Sequence, residues 1–105
     1  MSILFGVLEE EAERLKQARR LYAERMKKLP KGSLRLRRRG KKAYAYLLFR
    51  DGGHVRTRYI GVDGSAKVKA LQKQLLERKQ MEDFLRGIKI DLRILTRVRR
   101  ARKKG

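Results

Sequence analysis

The sequence predicts an α+β fold: a long N-terminal helix, a three-stranded antiparallel sheet, and one or two C-terminal helices. Three observations predict it. Apolar residues recur at helical spacing through the first 29 residues. Between Lys31 and Ile60, three short β-prone segments follow one another, separated by glycine-containing turns. After Ser65 the helical spacing returns and persists almost to the end.

The first helix is expected over residues 7–29. Leu8, Leu15, Tyr22 and Leu29 repeat every seven residues, with Ala12, Ala18 and Met26 beside them, so one face is apolar. Glutamates cluster at its start, Arg25, Lys27 and Lys28 stand at its end, and both suit the helix dipole. Pro30 and Gly32 end it. Glu11 and Arg25 occupy positions where a coiled coil wants apolar residues, so a helix packed on its own sheet is preferred to a dimer zipper.

The strands are expected at about 33–39, 43–50 and 54–60. Leu34 to Arg39 alternates apolar with basic, Ala43 to Phe49 is an aromatic β-prone run, and Val55 to Ile60 alternates again. Gly40, Lys41 and Lys42 form the first turn, and Asp51-Gly52-Gly53 reads as a three-residue hairpin loop with Gly53 left-handed. That phasing puts Leu47, Phe49, Val55, Thr57 and Tyr59 on a buried face with Leu34 and Leu36. It puts Tyr44, Tyr46, Leu48, Arg56 and Arg58 on the other, with Arg35, Arg37 and Arg39. A two- or four-residue loop would instead set Arg56 and Arg58 beside Phe49 and Leu47. The first phasing is preferred because it separates apolar from basic side chains.

Asp63 or Ser65 is the expected N-cap of the next helix, at about 65–86. Val68, Leu71 and Leu75 lie on one stripe, and Met81, Phe84, Leu85 and Ile88 on another. The helix is therefore expected to contact partners on two sides or to bend between Arg78 and Gln80, and Gly87 is expected to interrupt it. Residues 88–98 fit either a strand or a helix; helix, at about 88–101, is preferred because the helical spacing lasts longer. Residues 97–104 hold six cations of eight and read as a tail that orders on phosphate. The organisation expected is one domain over 1–96 with a basic tail over 97–105.

Composition restricts function. The chain of 105 residues carries 31 Lys and Arg against 11 Asp and Glu, for a net charge of +20. Such a charge disfavours the compact state by self-repulsion, and a polyanion offsets it. Residues 30–60 hold ten cations and a single acid, Asp51, which puts binding in the sheet and tail rather than the first helix. There is no cysteine and one histidine, His54, so neither a metal site nor any other cofactor is expected. No apolar stretch is long enough for a membrane span, and the glutamates after Leu8 are the wrong flank for a signal peptide. An intracellular, cytoplasmic and nucleoid-associated protein is expected. The carboxylates do not gather for metal-assisted catalysis, and no base stands beside a nucleophile, so no enzymatic activity is expected.

The expected contacts to nucleic acid are Arg35, Arg37, Arg39, Arg56 and Arg58 on the sheet, Lys41 and Lys42 at the turn, and Tyr44 and Tyr46 stacking on bases. Arg97, Arg99, Arg100, Arg102, Lys103 and Lys104 of the tail complete the set. Gly32-Ser33-Leu34-Arg35, the Arg39-Gly40-Lys41-Lys42 turn, the aromatic second strand and the Arg50-Asp51-Gly52-Gly53 hairpin resemble the arm-type DNA-binding domain of tyrosine recombinases (phage integrases) and the related AP2-type sheet domains. The resemblance spans residues 32–78. It implies a three-stranded sheet inserted in the major groove with Arg35, Arg37, Arg56 and Arg58 toward the bases. The long first helix and the missing Trp in the second strand depart from that pattern, and no part of these 105 residues reads as a catalytic recombinase domain, so no recombinase activity is expected from the resemblance.

The expected function is a DNA-binding accessory or regulatory factor of a phage or mobile element, with double-stranded DNA favoured. The rivals are an RNA-binding or ribonucleoprotein subunit and an antitoxin-like basic subunit of a protein complex. A homodimer or partner protein would engage through residues 7–29 and 81–98, whose apolar surface exceeds what one small sheet needs.

Overall fold

The computed structural model describes residues 3–104, with side chains described as far as Ala101. The elements in order are α1 (Ile3–Lys27), β1 (Ser33–Arg39), β2 (Lys42–Asp51), β3 (His54–Val62) and α2 (Ala66–Lys104). This is the expected α+β order, and of the one or two C-terminal helices expected there is one. The chain divides into two compact units: residues 29–79, and residues 1–28 with 80–105.

The first unit holds the sheet, an antiparallel meander in the order β1-β2-β3. Both hairpins close with two-residue loops. At the first, Arg39 pairs with Lys42 and Gly40 has φ 63°, the glycine-first geometry of a type II′ turn. At the second, Asp51 pairs with His54, and Gly52 and Gly53 have φ 58° and 86°. Consecutive glycines supply both positive φ values of a type I′ turn, whose twist matches the flanking strands.

That turn overturns the expected three-residue loop and shifts β3 by one residue against β2. Phe49 now faces Arg56, Leu47 faces Arg58, and Leu48 faces Thr57. Directly opposed residues share a face, so a one-residue shift moves every β3 side chain to the other side. A bulge between Ala45 and Tyr46 then pairs Tyr46 with Tyr59 and Ala45 with Gly61, leaving Ile60 as the extra residue.

The core of this unit lies on the side of Leu34, Ala45 and Leu47. Ala45 and Leu47 are buried, as is Val68 at the start of α2. A Cβ placed on Gly61 would lie 3.6 Å from Val68 Cγ2 and 3.1 Å from Ser65 Oγ, so the small residue lets α2 approach the sheet beside Ala45. Ser65 is the N-cap: its Oγ accepts from Val68 N at 3.4 Å and its carbonyl from Lys69 N at 3.0 Å.

Arg78 is buried on the same covered stripe as Val68, Leu71 and Leu75. Its Nη1 donates to the Leu29 carbonyl at 2.9 Å, just past the end of α1, which satisfies a backbone acceptor of the connection to β1. Helix is continuous through Arg78–Gln80. The covered positions run through Arg78 to Met81, Leu85, Ile88, Leu92, Leu95 and Arg99 in steps of three and four. The helix does not break at Gly87 either, and residues 97–104 continue it instead of forming a free tail.

The second unit pairs α1 with the second half of α2. Tyr22 and Phe84 rings meet at 4.7 Å, and Arg99 Nε stands 2.5 Å from Glu9 Oε1 as an ion pair. Contacts of 22 with 84 and 9 with 99 make the two segments antiparallel. Ala12, Leu15 and Ile88 are the buried residues between them. α1 begins at Ile3, before the expected Val7, and stops at Lys27. Arg14 hydrogen-bonds Glu11 one turn earlier on α1 and holds its carboxyl below the usual carboxylate range. Among the described residues no helix is long and apolar enough to cross a membrane.

Candidate nucleic-acid interface

The registers define the two faces of the sheet. Arg35 opposes Tyr46 and Arg37 opposes Tyr44 on one side; Tyr46 opposes Tyr59 and Arg50 opposes Val55 on the same side. Strand alternation adds Arg39, Lys42, Leu48 and Thr57 to this face. On this face the strands present Arg35, Arg37, Arg39, Lys42 and Arg50, all five exposed, while Asp51, the acid of β2, falls on the other face. Val55 and Tyr59 on it are 61% and 52% exposed.

Tyrosines form its centre. Tyr59 meets Tyr46 edge-on at 5.4 Å and Tyr44 at 6.2 Å, separations typical of favourable aromatic pairs. Arg37 lies 5.9 Å over the Tyr46 ring, a cation–π contact that also spreads its stem along the aromatic surface. Arg39, Tyr44, Tyr46 and Tyr59 line an open depression of about 320 Å³. Rings set beside guanidinium groups can stack on bases while the cations take phosphate.

Arg56 and Arg58 stand on the opposite side from Arg35 and Arg37. This corrects their expected place on one groove-facing surface, and its cause is the two-glycine turn. Both remain exposed on the outer strand, but each has a local partner. Arg56 Nε pairs with Asp51 Oδ2 at 3.0 Å, and Arg58 lies 5.5 Å over the Phe49 ring. Tyr59 and Val55 make the reverse exchange, from the expected core to the open face. Tyr59 and Arg50 are the contributors that sequence reasoning missed, and the Gly52-Gly53 pair was the signal that could have found them.

Lys41 is exposed in the first turn. On α2, Arg97 and Arg100 are exposed, whereas Arg99 turns inward to Glu9. The side chains of Arg102, Lys103 and Lys104 lie outside the described residues. Among the described residues, no group of three or more acidic, histidine or cysteine side chains gathers to hold a metal ion.

Residues 8–70, well over half of the chain, match the family model described as Domain of unknown function (DUF6788). No curated protein and no solved structure matches the chain. The likeness to arm-type domains therefore rests on the sequence motifs alone.

Proposed function

We propose, from the premise that this chain belongs to the DUF6788 family, that it is a non-enzymatic nucleic-acid-binding protein whose contact surface is the open face of the sheet. The observation that carries this reading is the row of Arg35, Arg37 and Arg39 beside Tyr44, Tyr46 and Tyr59, with no acid among the strand positions of that face. Alternate residues on a strand stand about 6.7 Å apart. This is about two base-pair rises along one strand of a duplex, so the row can follow a phosphate backbone without stretching the protein. Duplex DNA is the favoured ligand, because cations set at backbone spacing suit a regular polyanion. The net charge of +20 gives such a partner a long-range attraction.

The tyrosine cluster favours a second reading, in which unpaired bases of RNA or single-stranded DNA stack on Tyr59 and Tyr46. Competition at fixed salt among a duplex, its separated strand and a structured RNA separates the two. A duplex preference supports the first reading, and a hundredfold preference for the RNA or the single strand supports the second. Absence of binding to all three at low salt refutes both.

A further inference from the structure

We infer that α2 carries a second polyanion-binding surface, distinct from the sheet, formed by Lys89, Arg93, Arg97 and Arg100; the inference rests on the reading of the chain as nucleic-acid-binding. These residues are spaced by four, four and three, so they share one helix face. The helical course of α2 through residues 89–100 creates this face. A tail without helix from residue 97 would take Arg97 and Arg100 out of the row.

All four are exposed. Among the described residues none of them is held by an acid, whereas neighbouring Arg86 is paired with Asp83 at 3.4 Å and Arg99 with Glu9. The last acid of α2 is Asp91, and it lies on another side of the helix. Like charges at these spacings destabilise a helix in isolation. A face that keeps four of them together without neutralisation is suited to an anionic partner. From Lys89 to Arg100 the row spans about 17 Å of helix, along which a duplex presents about ten phosphate charges. Exposed Ile90 and Ile94, at 52% each, border the row, and apolar neighbours exclude water from one side of the contact. A nucleic-acid backbone is the occupant favoured over an anionic membrane, because the open sheet face of the same chain offers the same guanidinium chemistry together with stacking rings.

The test uses the full chain with Lys89, Arg93, Arg97 and Arg100 all changed to Gln, which keeps a good helix former at each position. Fluorescence anisotropy with a labelled duplex is followed across salt. The slope of log K against log salt is expected to fall in magnitude by about 3 to 4, with helicity by circular dichroism unchanged. A variant with Arg93, Arg97 and Arg100 changed to Lys is expected to keep the slope. An unchanged slope in the Gln variant overturns the inference, and so does a slope lost equally in the Lys variant. A parallel Arg35/Arg37/Arg39→Gln variant separates the two levels. If it loses slope while the α2 variant does not, the helix surface is refuted and the sheet reading stands. If wild type binds no duplex, the inference and the duplex reading of the sheet fail together. Loss confined to binding of phosphatidylserine vesicles by the α2 variant would assign the row to a membrane surface and refute it as a nucleic-acid contact.

Discussion

Replacing Arg35, Arg37 and Arg39 with Gln removes the whole cation row of β1 while leaving the buried side of the sheet untouched. Each phosphate contact contributes about 0.9 to the log–log salt slope on a duplex, so the slope is expected to fall by about 2.7. Near 0.1 M salt this corresponds to roughly a 500-fold loss of affinity, or about 3.7 kcal/mol, as an upper bound for exposed side chains. The comparison is Arg56/Arg58→Gln. Arg56 is already held by Asp51 at 3.0 Å and Arg58 lies over Phe49 at 5.5 Å, and both point away from the open face. Their loss is expected to change the slope by less than about one. Anisotropy titrations between about 50 and 200 mM salt resolve the difference. A double variant as damaged as the triple one, or a triple variant with the wild-type slope, would refute the assignment of binding to the open face.

Three of the four tyrosines stand on that face and the chain has no tryptophan, so nucleic acid is expected to quench most of the intrinsic fluorescence. Tyr46→Ala should weaken single-strand binding by about 1–3 kcal/mol, and unquenched emission at saturation would exclude stacking. Arg78→Ala leaves the Leu29 carbonyl without its 2.9 Å donor and should cost about 1–3 kcal/mol in urea unfolding; Arg78→Met should recover packing but not the hydrogen bond, and an unchanged midpoint in Arg78→Ala would contradict the role given to the contact. Gly87 lies inside α2 with no atom within 4 Å of an added Cβ, so Gly87→Ala should stabilise by about 1 kcal/mol; a lower melting temperature would mean that the helix is not continuous there.

The kinds of element and their order were legible along the chain because helix and strand periods are local properties. The heptad spacing from Leu8, the alternation in β1 and the Ser65 cap each concern side chains a few residues apart. Two matters were not local. The side on which β3 shows its arginines depended on one residue of loop length, and only the paired strands reveal that Gly52 and Gly53 form the whole turn. Their consecutive left-handed angles suited a tight I′ turn better than segregation of charge suited a longer one. The unbroken course of α2 was hidden because its apolar residues divide into two stripes, Val68, Leu71 and Leu75 on one and Met81, Phe84, Leu85 and Ile88 on the other, and because Gly87 reads as a break. Arg78 joins the two stripes into one covered row, and the Leu29 carbonyl to which it donates stands 49 residues away in sequence, beyond the reach of any local pattern. Local periodicity thus determines what each segment becomes. The pairing of distant backbone groups decides which of its faces meets solvent, because burial is a property of the assembled chain and not of any one segment.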